Sequence, residues 1–490
     1  MTISRKNQFE EIIDAMMIDE VSGLDEEIRA TLEGLDISKK RMAILSILDK
    51  DRDMFMKIKR IVDGTDVSKV EHIKVLVEQI REYVVIGETD VKNFGEVMTP
   101  INELVYPILD KLDADVWTNP DLKWLDGSAG VGVFPAVIVE RLMEGLSTWE
   151  PDQEKRYAHI VENMLHMGEL QARNSFICLC AFDPRDEYEL NIYNGSFLDD
   201  KFDEHARDVW GVDKFDICVQ NPPYNQMLDM TFLQKSYAIS DKVLFVHPST
   251  WLLDEKGKQK KFIKTKELVK DHLESIELFN GNGVFGISLF VPCVITYINK
   301  DKTTKGIKCV DRINGVELTY DNIYDINKFS NTDVYFSLKN KIEKIVDVKG
   351  SLWDKDRRGK DGKFYVSIAQ VRGHVKNTKK TGVGMDSLML VEDFYTMCTK
   401  DLQVIKYGKQ QPYGFDDYEI ADNFLKYIKT KVARFCLSIY KNNANLHRGE
   451  LALIPWLDFS QEWTDEKLFK EFNLTQEEVD FIEDVIPDYY

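Results

Sequence analysis

A tetrapeptide in the middle of the chain, Asn221-Pro222-Pro223-Tyr224, combines residue types that suit one reaction. It follows the apolar run Phe215-Asp216-Ile217-Cys218-Val219, which reads as a buried strand. An amide, two prolines and an aromatic ring are thus delivered at a strand's C-terminal end, where open α/β sheets bind ligands. An exocyclic amine on a nucleobase is a poor nucleophile because its lone pair is delocalised into the ring. The Asn221 side-chain oxygen and the Pro222 carbonyl can each accept a hydrogen bond from that amine, localising electron density on nitrogen as it attacks. Prolines have a fixed φ and no N–H, which holds such acceptors still. Tyr224 offers a flat face for an extruded base. Taken alone, the tetrapeptide is equally an ordinary turn after a strand.

The elements around it narrow the choice. Lys123-Trp124-Leu125-Asp126 reads as the end of another strand, followed by Gly127-Ser128-Ala129-Gly130-Val131-Gly132. A buried helix is predicted from Val133 to Leu142, with Pro135 tolerated in its first turn. Strand, glycine turn and helix N-terminus make a nucleotide-type site, in which glycines admit a ligand and free N–H groups point at it. The spacing is G-x-x-G-x-G, which departs from the dinucleotide fingerprint, and no Lys-Ser/Thr follows, which argues against a P-loop.

Asp126-Gly-Ser-Ala-Gly-Val-Gly-Val-Phe134 is similar to the first motif of amino-methyltransferases, D-P-x-x-G-x-G-x-F, with Gly127 in place of the common Pro. Asn221-Pro-Pro-Tyr224 is similar to their catalytic fourth motif, and Phe94-Gly-Glu-Val-Met-Thr-Pro100 resembles the segment that precedes the fold in gamma-class adenine-N6 DNA methyltransferases. The order of the three is the gamma-class order, in register over roughly 200 residues. The resemblance implies an α/β chain: a Rossmann-like doubly wound sheet, an N-terminal helical region and a C-terminal α+β target-recognition domain. The expected divisions are 1–90, 91–304 and 305–490.

By that resemblance, Thr99, Pro100, Asp126, Gly127, Gly130 and Gly132 surround the methionine part of S-adenosylmethionine. Glu169 is the acid expected on the ribose hydroxyls, later than usual because residues near 145–160 look like an inserted helix; a solvent-facing helix-start Glu is its other reading. At the third motif Ser196 stands where relatives carry an acid, with Phe197 beside it for the cofactor ring and Asp199 nearby. Lys242 to Leu252 is similar to the family's V-P-x-x-W/F-L segment. Val284-Phe285 and the apolar run from Phe290 resemble the eighth motif, making Phe285 either the second stacking face for the base or plain core. Pro292-Cys293 matches the dipeptide of cytosine-C5 enzymes, but in a β-rich apolar run a buried structural Cys is the better reading. Cys178-Leu-Cys180 has no adjacent His, so no metal site is expected.

The implied reaction is site-specific transfer of a methyl group from S-adenosylmethionine to N6 of an adenine rotated out of double-stranded DNA. Asn221 and Pro222 would accept from the amine, Pro223 would stiffen the turn, and Tyr224 would stack. Rival readings stay open: the same chemistry on a protein glutamine or an RNA base, or a DNA-binding relative without turnover. Enzymes of the first two kinds are usually smaller and lack a Thr99-Pro100 type segment, while cytosine-N4 enzymes usually carry Ser-Pro-Pro.

At 490 residues, 43% hydrophobic and 30% charged, the chain suits a soluble protein of two or three domains. The N-terminus has no apolar signal core, and seven scattered cysteines fit reduced thiols. A bacterial cytoplasm is the expected location, for a bacterial or a viral protein, with no membrane partner; a restriction endonuclease is a compatible one. No nuclease signature of paired acids before an E-x-K is visible. A net charge of −20 repels phosphate, yet nine of the twenty excess charges sit in 451–490. Two basic stretches, 351–380 and the six lysines between Lys256 and Lys266, follow the tetrapeptide where a duplex should pass, although solvated loops use such runs too.

Overall fold

The computed structural model describes residues 99–183, 187–253, 259–285, 292–313, 315–327, 329, 332–354, 362–370, 394–399, 411–440, 448–486 and 488. The predicted N-terminal helices and Phe94 to Met98 lie outside the described residues, as do Lys256, Lys258 and most of the basic stretch 351–380. The described chain divides into two compact units, one of residues 99–247, 271–274 and 295–303, the other of 248–270, 275–294 and those from 304 onward.

The first unit is α/β and doubly wound. Its strands are β1 (Trp124–Asp126), β2 (Leu165–Glu169), β3 (Asn191–Asn194), β4 (Phe215–Gln220) and β5 (Ser240–Pro248). They run in the order β3-β2-β1-β4-β5, followed by 295–299 of β7 (Cys293–Asn299) and 273–274 of β6 (Leu273–Phe279). Every neighbouring pair among β1 to β5 is parallel. The chain winds outward through β2 and β3, then returns to place β4 on the other side of β1. That reversal between β1 and β4 is the topological switch point at which such sheets hold ligands. Leu125 is in register with both His166 and Cys218, so the C-terminal ends of β1, β2 and β4 open side by side.

Burial on both faces explains why these strands read as apolar runs: β1 and β2 are buried throughout. The predicted helix after the glycine turn is α1 (Val133–Gly145), which runs three residues beyond Leu142. The inserted helix is α2 (Gln153–His159), started by Asp152, whose carboxylate accepts the Glu154 and Lys155 N–H groups. Helix α3 (Ala172–Phe182) follows β2, and α4 (Asp200–Asp208) and α5 (Leu228–Ile239) follow β3 and β4.

The second unit is α+β. Within it Ser275–Leu278 of β6 pairs in parallel with β8 (Ile307–Asp311), which pairs antiparallel with β9 (Val316–Tyr320). A separate antiparallel sheet runs in the order β11 (Phe394–Thr399), β10 (Phe364–Gln370), β12 (Gln411–Phe415). Its core gathers Phe329, Tyr335, Phe424, Phe435 and Leu468. What would otherwise be one long helix is two, Tyr418–Lys429 and Lys431–Tyr440. Thr430 breaks it, adopting ψ 153 and accepting the Ala433 N–H at its hydroxyl, which makes it the cap of the second helix.

Lys260–Val269 forms a helix, α6, that turns Thr265, Lys266 and Val269 inward. The Lys266 ammonium donates to the Leu252 carbonyl at 2.8 Å, so this lysine is withdrawn from the basic run proposed to meet DNA. Cys293 is fully buried at the start of β7, as a structural cysteine should be. Among the described residues no helix is long and apolar enough to cross a membrane, and no group of three His, Cys, Asp or Glu side chains is placed to hold a metal ion.

Candidate active site

A cavity of about 250 Å³ opens at the switch point of the first unit. Four strand ends build it. The glycine turn after β1 contributes Gly127 to Val131, and β2 ends in Glu169 with Leu170 and Gln171 behind it. Ser196 to Leu198 follow β3, and Asn221 to Tyr224 follow β4. Thr99 completes the wall beside Asn221.

The tetrapeptide is tied down on both sides. Gln220, the last residue of β4, is fully buried, and its Nε2 donates to the Ser236 hydroxyl of α5 at 3.1 Å. Asn221 donates from Nδ2 to the Thr99 hydroxyl at 2.9 Å, bridging 122 positions of sequence. Its Oδ1 accepts the Tyr224 hydroxyl at 2.6 Å. The turn then passes through Gln226 and Met227 at φ 54 and 59, left-handed conformations that cost non-glycine residues about 1–2 kcal/mol each. An amide acceptor and an aromatic ring thus share one cavity wall, held by contacts from two separate segments, at Thr99 and in α5.

The glycine turn is used differently from the sequence expectation. Its N–H groups were expected to point at a ligand, but four of them bond within the fold. Ser128 N donates to Asp126 Oδ1, Ala129 N to the Gly168 carbonyl, Gly130 N to Glu169 Oε2, and Gly132 N to the Ala129 carbonyl. The turn closes on itself because Glu169 and Gly168, at the end of the adjacent parallel strand, supply acceptors at about 3 Å. With those donors occupied it makes no anion nest, so the cradle suits a ligand without phosphate. Two carboxyls lie at the turn instead, Asp126 and Glu169.

Glycine is required here by packing as well as by conformation. A Cβ on Gly127 would lie 2.5 Å from the Phe197 ring and 2.8 Å from Gln220 Nε2. The ring that crowds this position, Phe197, is buried and stacked on Phe232 at 5.3 Å. Gly127→Ala should lower stability by about 1–3 kcal/mol, as overpacking does, and distort the cavity wall. Denaturant unfolding checks this; unchanged stability would show that the ring yields freely. Gly132 has φ 88, and a Cβ there would meet Phe182 at 2.8 Å.

Asp126 is almost wholly buried, and its Oδ2 accepts no hydrogen bond from the described residues. Burial pushes its carboxyl up to about 8; the Ser128 N–H opposes this and the Glu169 charge adds to it. The folded form therefore holds this proton more tightly than the unfolded chain. Its contribution to stability falls as pH rises from about 4 to about 8 and levels off above that. Asp126→Asn should remove that slope, worth roughly 1 kcal/mol per pH unit at most. Denaturant titrations of both proteins at pH 5 and pH 8 test it, and a wild-type-to-variant difference that does not change with pH would contradict it.

Of the residues expected at the site, the structure brings together on the cavity Thr99, Gly127, Gly130, Glu169, Ser196, Phe197 and Asn221 to Tyr224. It does not place Pro100, Asp126, Gly132 or Phe285 on that lining. Asp126 and Gly132 act beneath the turn, and Pro100 accepts the Leu104 and Val105 N–H groups at the start of a helical turn. Phe285, half-buried in the second unit, packs near Phe279 with ring centroids 6.1 Å apart. Sequence reasoning missed Asn174, Leu228 and Phe232, which reach the cavity from α3 and α5. Their only signal is helical phase relative to the preceding strand end.

No family model matches the chain. Over 73 residues it is 45% identical to a protein of Mycoplasma pneumoniae (strain ATCC 29342 / M129 / Subtype 1) described as an uncharacterized adenine-specific methylase. That stretch is 14% of this chain and 17% of the relative, so the chain matches about a sixth of the relative's length. Among solved structures it is similar to the methyltransferase subunit of a type I restriction-modification system from Streptococcus thermophilus. Identity there is 14%, over 68% of this chain and 74% of that one, with a TM-score of 0.39. It is also similar to the Type IIL restriction-modification enzyme MmeI in complex with DNA, at 15% identity over 66% of this chain and 53% of that one, TM-score 0.39. TM-scores of this size establish neither a shared fold nor a shared activity.

Proposed function

We propose that this chain is an S-adenosylmethionine-dependent DNA methyltransferase acting on N6 of adenine. One observation carries the reading: the Asn221 amide and the Tyr224 ring share a cavity with Glu169 and the glycine turn. The residues present fit the cofactor. Glu169 offers a carboxylate to hydroxyl groups, Phe197, Leu170 and Val131 offer apolar surface to a ring, and a turn whose N–H groups are occupied suits a nucleoside cation without phosphate. When bound, S-adenosylmethionine supplies an electrophilic methyl group on a sulfonium.

The chain's own residues do the rest. Asn221 Oδ1 and the Pro222 carbonyl accept the two N6–H bonds of an adenine lying on Tyr224, which draws the nitrogen lone pair out of conjugation. With the cofactor held beside Glu169 and the glycine turn, it would supply the methyl group, while Asn221 Oδ1 and the Pro222 carbonyl would keep N6 aimed and N6 would release one proton to solvent. Orientation and preorganised acceptors provide the acceleration, and no covalent intermediate is needed. Under this reading the partner is double-stranded DNA, residues 91–304 are catalytic and 305–490 recognise the target. The 45% identity over 73 residues to a protein described as an adenine-specific methylase supports the choice of base.

The test is to incubate the full chain with methyl-labelled S-adenosylmethionine and, separately, DNA, RNA and a glutamine-containing protein. Label in DNA supports the proposal. Label in RNA or in glutamine selects the rival substrate, and no label with retained DNA binding selects the silent relative.

A further inference from the structure

The chemistry proposed for Asn221 works in only one orientation of its amide. A carboxamide has two edges of nearly equal size, and a half-turn about its last bond exchanges them without steric change. With Oδ1 forward the side chain accepts from an amine; with Nδ2 forward two donors face each other. Some neighbour must distinguish the edges.

We infer that Thr99 is a positioning residue for this reaction, holding the Asn221 amide with its oxygen edge toward the substrate amine. The inference rests on the proposed function and departs from the role that the family resemblance implies for Thr99, which is contact with the methionine part of the cofactor. The Thr99 hydroxyl lies 2.9 Å from Nδ2, while the Tyr224 hydroxyl donates to Oδ1 at 2.6 Å. Both hydroxyls can donate or accept, but they are not equivalent. A phenol, with an ordinary pKa of about 10, is much the more acidic and hence the better donor, and an alkyl hydroxyl is the better acceptor. The pair therefore selects the orientation observed. A substrate amine, itself a donor, would take the phenol's place at Oδ1 and preserve the same selection, with Thr99 the acceptor that completes it at Nδ2.

Thr99 is well placed for this. It is only 7% exposed, and its β-branched side chain has few rotamers. The following Pro100 restricts its backbone, and the Pro100 carbonyl accepts the Leu104 and Val105 N–H groups at 3.1 and 3.2 Å. The hydroxyl is thus presented from a fixed point that is separate in sequence from the tetrapeptide.

The experiment compares wild type, Thr99→Val and Thr99→Ser. Valine keeps the shape and removes the acceptor, so that the oxygen-forward orientation faces Nδ2 toward a methyl group. We expect kcat on DNA to fall about tenfold to a hundredfold, the penalty of an unsatisfied buried donor. The calorimetric Kd for S-adenosylmethionine should stay within about twofold, and serine should restore kcat to within about threefold, both allowances well inside a tenfold effect. A Thr99→Val protein with unchanged kcat overturns the inference. So does one whose loss lies wholly in cofactor affinity and disappears at saturating S-adenosylmethionine, since that marks Thr99 as a cofactor contact. An inert wild type overturns the proposed function and this inference with it; an active wild type beside an equally active Thr99→Val overturns the inference alone.

Discussion

Asn221→Ala should reduce methyl transfer at least about a thousandfold while leaving cofactor affinity and thermal stability close to wild type. A single preorganised polar contact to a reacting group is typically worth 10²–10³ in kcat. Here the lost oxygen is one of two acceptors that make the amine nucleophilic, which places the effect at the upper end. The fold should tolerate the change, because Asn221 is only half-buried and lines the cavity, where water can take the place of its amide. Single-turnover methyl transfer at saturating cofactor is the measurement. A loss confined to KM would show that Asn221 binds substrate without assisting attack.

The second large effect is expected at Tyr224, and it separates ring from hydroxyl. Stacking of a base on an aromatic side chain is worth about 1–3 kcal/mol, so Tyr224→Ala should weaken productive DNA binding by about tenfold to a hundredfold. It should also lower kcat, because an unstacked adenine is poorly aimed at the methyl donor. Tyr224→Phe keeps the ring and removes only the hydroxyl that donates to Asn221 Oδ1. That bond must break when the amine takes its place, so the Phe variant should retain activity within about tenfold, the loss of one neutral hydrogen bond at most. Steady-state kinetics on a DNA substrate decide it. Equal losses in the Ala and Phe variants would mean that the hydroxyl, and not the face of the ring, carries the function.

Much of this site was legible in the sequence because its parts are local. The tetrapeptide and the glycine turn each lie within a few residues of a strand end, and parallel strands buried on both faces announce themselves as short apolar runs. Even Glu169 was recoverable despite its late position, because the intervening residues show the pattern of α2. What stayed hidden depends on partners distant in sequence. That Gly130 N–H turns to Glu169, or that Gly127 is needed beneath Phe197, follows from how β1, β2 and β4 line up. The same holds for Phe232, whose place on the cavity is set by where α5 packs. The break at Thr430 is hidden for another reason: its flanking residues keep helical periodicity, and only the capping geometry reveals the stop.

Activation of an aromatic amine by Asn221, at the edge of a cofactor-holding sheet, would leave its mark on the product. The most direct measurement is mass spectrometry of nucleosides from unmodified DNA treated with the protein and deuterated-methyl S-adenosylmethionine, run beside Asn221→Ala. The account predicts trideuterated N6-methyldeoxyadenosine with the wild type and at most trace amounts with the variant. Label on another nucleoside, or equal N6 labelling by both proteins, would contradict it.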